Sequence, residues 1–263
     1  MIVAAAICPS PPLLAAALTG EAEILPELRA ACAAAVTRLL AAAPDVVVVA
    51  GPAGATGSWD PAGQLSLASF APALRARDRS HADDGEERAG GRSAAAPSLP
   101  LALGLGALLL DEAGYQGPRV LQAIAGFEPA AGCLALGGEI AASAPRVALL
   151  AVGDGTARRS ASAPGYLDER AAPFDEAVER AVRDGDLRAI AALDPALAAD
   201  LLAAGRPAWQ ALAGALSAGR HSAAAGYFTA PGRLQAEVLY SGAPLGVGYL
   251  VATLIPRLDL IPR

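Results

Sequence analysis

The chain has 263 residues, of which 54% are hydrophobic and 17% are charged, so it is long enough to bury a full core, and we expect a single domain over residues 1–263. Its net charge is -6 and its dispersed basic residues are all arginines, which excludes the basic stripe of a nucleic-acid-binding protein. The apolar stretches at 1–20 and 239–256 are interrupted by proline and glycine, so we expect neither a signal peptide nor a membrane helix, and predict a cytoplasmic protein.

The first 50 residues follow a strand, helix, strand pattern. An apolar run over Ile2–Ile7 predicts a buried strand, and the proline-rich loop behind it holds Ser10 in extended backbone. Apolar residues at helical spacing predict a helix over Glu21–Ala43, and the β-branched run Asp45–Ala50 predicts a strand that is covered on both faces. The two strands of such a unit are parallel, so their carboxyl ends share one edge of the sheet.

A glycine-rich loop over Gly51–Asp60 follows the second strand. Its Ser58 is therefore expected near Ser10, at the shared edge. Residues 75–96 are rich in charge and lack apolar anchors, which predicts a flexible insertion. His81 lies in that insertion beside Asp83 and Asp84, but we expect no metal site in so polar a segment.

The middle of the chain alternates between helix and strand. The apolar pattern predicts a helix over Leu99–Ala113, a strand over Arg119–Phe127, a helix over Glu128–Ala144 that packs closely through its glycines, and a strand over Val147–Val152. Helical spacing resumes over 171–218, a block that could cover a crevice or serve as a partner surface. Three final strands, at 226–230, 234–240 and 246–254, predict a mixed or antiparallel edge. The fold class is therefore α/β, three-layer α/β/α with a mostly parallel mixed sheet and an added helical segment.

Polar residues are concentrated directly after the strand at Val147–Val152. Asp154 comes first, followed by Arg158 and Arg159, at the carboxyl end of the strand, where open α/β sheets bind ligands. Two arginines can donate paired hydrogen bonds to a carboxylate or phosphate, with Asp154 orienting them. Tyr166 and Asp168 could close the loop over such a ligand, although a solvated charged turn gives the same pattern.

Three cysteines are spaced too widely for a zinc site and are odd in number, so neither a disulfide framework nor a metal site is predicted. Cys8, Cys32 and Cys133 are instead expected to be buried thiols.

The sequence resembles the B-type subunits of class III extradiol ring-cleavage dioxygenases, in an actinobacterial branch of that family. Three stretches carry the resemblance: IVAAAICPSPPLL, the central and most specific GDGTARRSASAPGYLDERAAPFD, and APLGVGYLVA. The resemblance runs over nearly the whole chain and implies an α/β/α fold with a mixed sheet. It also implies non-haem Fe(II), held by two histidines and a carboxylate, that opens catechol-type rings with dioxygen.

The sequence departs from this family at the iron ligands. Relatives have Pro-His-Pro in the first loop, where this chain has Pro9-Ser10-Pro11, and the loop after the second strand offers no histidine. We therefore expect a relative that has lost its iron site, with no cofactor and no assigned catalytic residue, and that binds an anionic or aromatic small molecule or a protein partner. The expected crevice is lined by Ser10, Ser58, Asp154, Arg158 and Arg159.

Two alternatives are left open. One is an active Fe(II)-dependent dioxygenase, or a hydrolase, with atypical ligands such as His221 with Asp60 or Glu237. The other is a scaffold that acts through the helical block. A homo-oligomer is compatible with each of them.

Overall fold

The computed structural model of the protein describes residues 1–19, 24–67, 69–70, 98–218 and 234–257. The strands in these residues are β1 (Ile2–Cys8), β2 (Val46–Ala53), β3 (Gly57–Trp59), β4 (Gln64–Leu65), β5 (Ser98–Leu99), β6 (Arg119–Ala125), β7 (Val147–Val152), β8 (Leu234–Gly242) and β9 (Tyr249–Pro256). The helices are α1 (Ala16–Thr19), α2 (Pro26–Ala41), α3 (Leu101–Glu112), α4 (Ala130–Ala142), α5 (Ala171–Asp184), α6 (Leu187–Ala191), α7 (Pro195–Asp200) and α8 (Arg206–Ala218), with a short 3-10 helix at Pro12–Leu14. The predicted insertion at 75–96 and the strand predicted at 226–230 lie outside the described residues.

Seven of these strands form one mixed sheet in the order β3-β6-β2-β7-β1-β9-β8. The strands β6, β2, β7 and β1 run parallel to one another. At one edge of the sheet β3 pairs antiparallel with β6, and at the other β9 pairs antiparallel with both β1 and β8. β7 lies between β1 and β2, so the two strands of the first unit are parallel without being neighbours. Because all four parallel strands end on the same side, their carboxyl ends form a single edge.

Helices cover both faces of the sheet, which confirms the predicted three-layer α/β class. One face packs against α2 and α3, through residues such as Leu28, Leu39 and Leu103. The other face packs against the helices of the second half of the chain, through Trp209 and Phe174 among others. Strand side chains alternate between the two cores, since successive residues of a strand point to opposite faces.

The helical block does not form a uniform outer layer. Side chains on every face of α8 are buried, because the helix lies between the sheet, α4 and α6. The predicted close packing through glycine holds at Gly137, where an added Cβ would overlap the backbone carbonyl of Ala211. Asp194 caps α7 as its position before Pro195 predicts. Among the described residues, none of the helices combines the length and the apolar character that crossing a bilayer would require.

Candidate functional site

The tips of β1, β2 and β7 meet at the carboxyl edge of the sheet. The backbone N–H of Gly153 donates to the carbonyl of Cys8 at 2.9 Å, and a Cβ on Gly51 would lie 3.2 Å from the carbonyl oxygen of Val152. A Cβ on Gly153 would lie only 2.6 Å from the Cα of Gly205, so the chain passes closely under the start of α8. Asp154, the next residue, accepts hydrogen bonds from Ser10 in the loop after β1, and its charge acts on the hydroxyl of Tyr249 on β9.

Asp154 is bound by Ser10 alone among the described side chains and amides. The Ser10 N–H donates to Oδ1 at 2.6 Å, and the Ser10 hydroxyl is 3.5 Å from the same oxygen. Pro9 and Pro11 flank Ser10 and restrict its backbone, so this N–H is held in place. No described residue donates a hydrogen bond to Oδ2, and this oxygen is accessible to solvent.

Burial dominates the electrostatics of this carboxyl. Desolvation raises the pKa of Asp154 from 3.8 to about 6, although both hydrogen bonds from Ser10 act in the opposite direction. The side chain is nevertheless partly accessible to solvent. Burial, with a smaller contribution from the charge of Asp154, also raises the pKa of the Tyr249 hydroxyl. Asp154 is therefore a reachable carboxyl that changes its protonation close to neutral pH.

A second carboxylate anchors the same loop from α5. Asp175 of α5 accepts hydrogen bonds from the Thr156 N–H at 2.9 Å and from the Thr156 hydroxyl at 2.8 Å, and Arg159 Nη1 lies 2.8 Å from its Oδ2. Thr156 is fully buried. Gly155 and Gly248 make room for this carboxylate, because an added Cβ at either position would approach it closely. We call Thr156, Arg159 and Asp175 the loop anchor.

A small cleft lies beside the loop anchor. Its volume is about 20 Å³, and it is lined by Arg159, Asp175, Glu179, Trp209 and Tyr249, among others. Among the described atoms, the buried Nε1 of Trp209 has no hydrogen-bond partner. An ordered water is the usual partner of such a group.

The backbone of Asp154 is tied to the start of α8. The Gly205 N–H donates to the carbonyl of Asp154 at 2.7 Å. The adjoining Arg206 is buried, and its guanidinium donates to the carbonyls of Gly126 and Glu128, both at 2.6 Å, at the end of β6. Arg206 therefore holds α8 against the carboxyl edge and, through Gly205, fixes the backbone of Asp154.

The two predicted ligand arginines do not converge on Asp154. Arg158 Nη1 donates to the carbonyl of Gly165 at 2.7 Å, and its Nε is buried without a partner in the described part of the chain. Arg159 pairs with Asp175, so the predicted orientation of both arginines by Asp154 is wrong. The difference arises in the loop after β7, where Asp154 accepts hydrogen bonds from Ser10 and Arg159 binds Asp175 of α5.

Tyr166 and Asp168 do not close over Asp154. The Tyr166 side chain is 75% exposed and its backbone is left-handed, with φ of 58°. Asp168 pairs with Arg170 at 2.8 Å, and the hydrogen bonds from Arg170 lower the pKa of Asp168 to about 2. Arg170 also reaches Asp200, so this corner is a surface ion-pair network.

Ser58 lies away from the other predicted site residues. The chain turns back after β2 and places Ser58 on β3, where its hydroxyl is 3.3 Å from Gln122 Oε1 on β6. Strand registers run from Ser58 through Gln122 and Ala50 to Ala151 of β7, a separation of roughly 14 Å at the usual strand spacing. Of the predicted crevice residues, the structure brings together Ser10 and Asp154.

The residues considered for an atypical metal site are engaged elsewhere. Asp60 accepts a hydrogen bond from the N–H of Ala62, and Glu237 forms an ion pair with Arg38 at 2.6 Å. They lie beside opposite edge strands of the sheet, β3 and β8. Both histidines of the chain, His81 and His221, lie outside the described residues, as do Asp83 and Asp84. Within the described ranges, no three His, Cys, Asp or Glu side chains come together as a metal site would require.

Comparison with solved structures supports the fold. The chain is similar to an uncharacterized protein, JW3007 from Escherichia coli K12, with a TM-score of 0.51 and 16% sequence identity, over 96% of this chain and 99% of that one. No family model matches the sequence, and no curated protein matches it significantly. At this identity the similarity shows a shared fold.

Proposed function

We propose that this chain is a relative of the extradiol dioxygenases that has lost the iron site and binds a small molecule at the carboxyl edge of its sheet, against Asp154. The observation that carries the proposal is the partly accessible Asp154 carboxyl, whose Oδ2 has no donor among the described residues. Oδ2 is accessible to solvent, so a ligand that brings a hydrogen-bond donor can reach it and take the place of water there.

The contacts favour a ligand that carries a hydrogen-bond donor, and an aromatic body is what the resemblance to ring-cleaving enzymes implies. Ser10 fixes the carboxyl through Oδ1, and the charge of Asp154 acts on the hydroxyl of Tyr249. An anion would need the guanidinium groups of Arg158 and Arg159, but Gly165 and Asp175 already accept hydrogen bonds from them. Ligand binding at this edge requires no redox step.

A neutral aromatic alcohol, 2-phenylethanol, tests the site directly. We expect it to shift the backbone amide resonances of Ser10 and Gly155 in an NMR titration of the full chain. Asp154→Ala should abolish these shifts. Asp60→Asn should leave them unchanged, because Asp60 follows the edge strand β3, which is three strands away from β7. Binding that survives in Asp154→Ala would overturn the proposed site.

Loss of the iron site is tested separately. Protein that is purified without a histidine tag and loaded anaerobically with Fe(II) should retain no stoichiometric iron, and it should consume no dioxygen in the presence of catechol. Stoichiometric iron together with ring cleavage would establish the dioxygenase alternative.

A protein partner is a second candidate, favoured by exposed apolar side chains beside the site. Tyr166, Leu167 and Leu202 are all exposed, and an added Cβ on Gly165 would contact Leu202. Replacing Leu202 with serine should weaken any self-association that sedimentation velocity detects, whereas a protein that is monomeric with and without the substitution would remove a second copy of this chain as the partner.

A further inference from the structure

We propose that the ligand of this site carries a protonated amine, which binds to Oδ2 of Asp154; this inference rests on the proposed function and specifies its ligand class. Four observations lead to it: the charge around Asp154, the unused acceptor, the partial burial, and the direction in which the site titrates.

The surroundings of Asp154 contain no compensating positive charge among the described residues. Ser10 supplies neutral donors, the charge of Asp154 acts on Tyr249 of β9, and Tyr240 of β8 acts on Tyr249 in turn. Cys8 ends β1, two residues before Ser10. Glu27 of α2 acts on Tyr240 and adds further negative charge. A carboxylate in such surroundings repels an anionic ligand and attracts a cation.

The hydrogen-bonding capacity of the carboxylate fits an ammonium group. Both Ser10 contacts go to Oδ1, so Oδ2 retains two lone pairs, and an ammonium brings three donors in a compact group. Hydrogen bonds between two ionised groups are about twice as strong as neutral ones, and partial desolvation strengthens them further.

The titration of the site gives the amine a characteristic pH dependence. Burial raises the pKa of Asp154 to about 6, and a bound cation lowers it, so binding below that pH must displace a proton. The neighbouring thiol of Cys32, together with burial, raises the pKa of Cys8, and burial raises that of Tyr249, so both stay neutral in this range. The affinity for an amine should therefore fall by about tenfold for each pH unit well below 6.

Three matched probes separate the ligand classes: 2-phenylethylamine, 2-phenylethanol and 3-phenylpropanoate share one aromatic body and differ in the charge of the head group. Isothermal titration of the full chain at neutral pH should show the amine binding tightest. Asp154→Asn should weaken the amine by about 10- to 100-fold and remove its pH dependence. Asp60→Asn is the matched control and should leave both unchanged.

The outcomes distinguish this inference from the proposed function. If the alcohol or the propanoate binds more tightly than the amine, and its binding still requires Asp154, then the inferred amine ligand is wrong but the proposed binding site is supported. If the amine binds equally well to the wild type and to Asp154→Asn, the inference is overturned. If none of the three binds at millimolar concentration, both are overturned.

Discussion

Two carboxylates hold the loop that follows β7, and they differ in how completely they are paired. Asp175 accepts three hydrogen bonds, one of them from the guanidinium of Arg159, and its partner Thr156 is buried. Asp154 accepts hydrogen bonds from Ser10 alone among the described residues, and both reach the same oxygen. A fully paired carboxylate stabilises the fold, whereas one with an unused oxygen has capacity for a ligand.

The largest expected effect is on the fully paired carboxylate. Asp175→Ala leaves the N–H and hydroxyl of buried Thr156 without acceptors and Arg159 without its partner, so we expect the free energy of unfolding to fall by about 3 kcal/mol. Urea unfolding measures the change. A loss below about 1 kcal/mol would mean that the loop anchor contributes little to stability.

The opposite sign is expected at Asp154. Its raised pKa means that the ionised carboxylate is less favourable in the folded chain than in the unfolded one, by at most about 3 kcal/mol. Because the side chain is partly accessible, we expect Asp154→Asn to raise the free energy of unfolding at neutral pH by only about 1 kcal/mol. A clear destabilisation in the same urea assay would mean that Asp154, like Asp175, stabilises the fold.

The pH dependence sharpens this contrast. Because the folded pKa lies above the unfolded one, the contribution of Asp154 to stability is fully present below pH 3.8 and is lost as pH rises toward about 6. The wild type should therefore lose stability relative to Asp154→Asn across that window, which unfolding curves at successive pH values would show. Parallel curves for the two proteins would mean that Asp154 titrates as it does in the unfolded chain.

The smallest effect is expected from Ser10→Ala. The hydroxyl of Ser10 is 3.5 Å from Asp154, whereas the N–H at 2.6 Å is unaffected by the substitution. We expect a change of less than about 0.5 kcal/mol in stability and an almost unchanged pKa of Asp154. A larger change would show that the hydroxyl, rather than the N–H, orients the carboxyl.

Much of the fold follows from local patterns in the sequence. Val147–Val152 is a strand because it is an uninterrupted apolar run between a proline and a glycine turn, and its carboxyl end correctly places Asp154 at the sheet edge. The closeness of Ser10 to that edge also follows from strand direction alone.

The rest of the site depends on strand order and side-chain direction, which local patterns do not contain. β3 turns back to pair with β6, which takes Ser58 to the far edge. β7 lies between β1 and β2, and in the loop after it Asp154 binds Ser10 whereas Arg159 binds Asp175 of α5. Sequence patterns do not single out Asp175, Arg206 or Tyr249, because each belongs to an ordinary helix or strand pattern. The one signal for Asp175 is that a buried Arg159 would need an acidic partner.

The most direct test of the central claim is the pKa of the Asp154 carboxyl, measured by NMR from the pH dependence of its carbon chemical shift, with Asp154→Asn used to assign the resonance. We predict a midpoint near 6 that moves to lower pH when 2-phenylethylamine is added. A midpoint at or below the ordinary value of 3.8, unmoved by the amine, would contradict this claim.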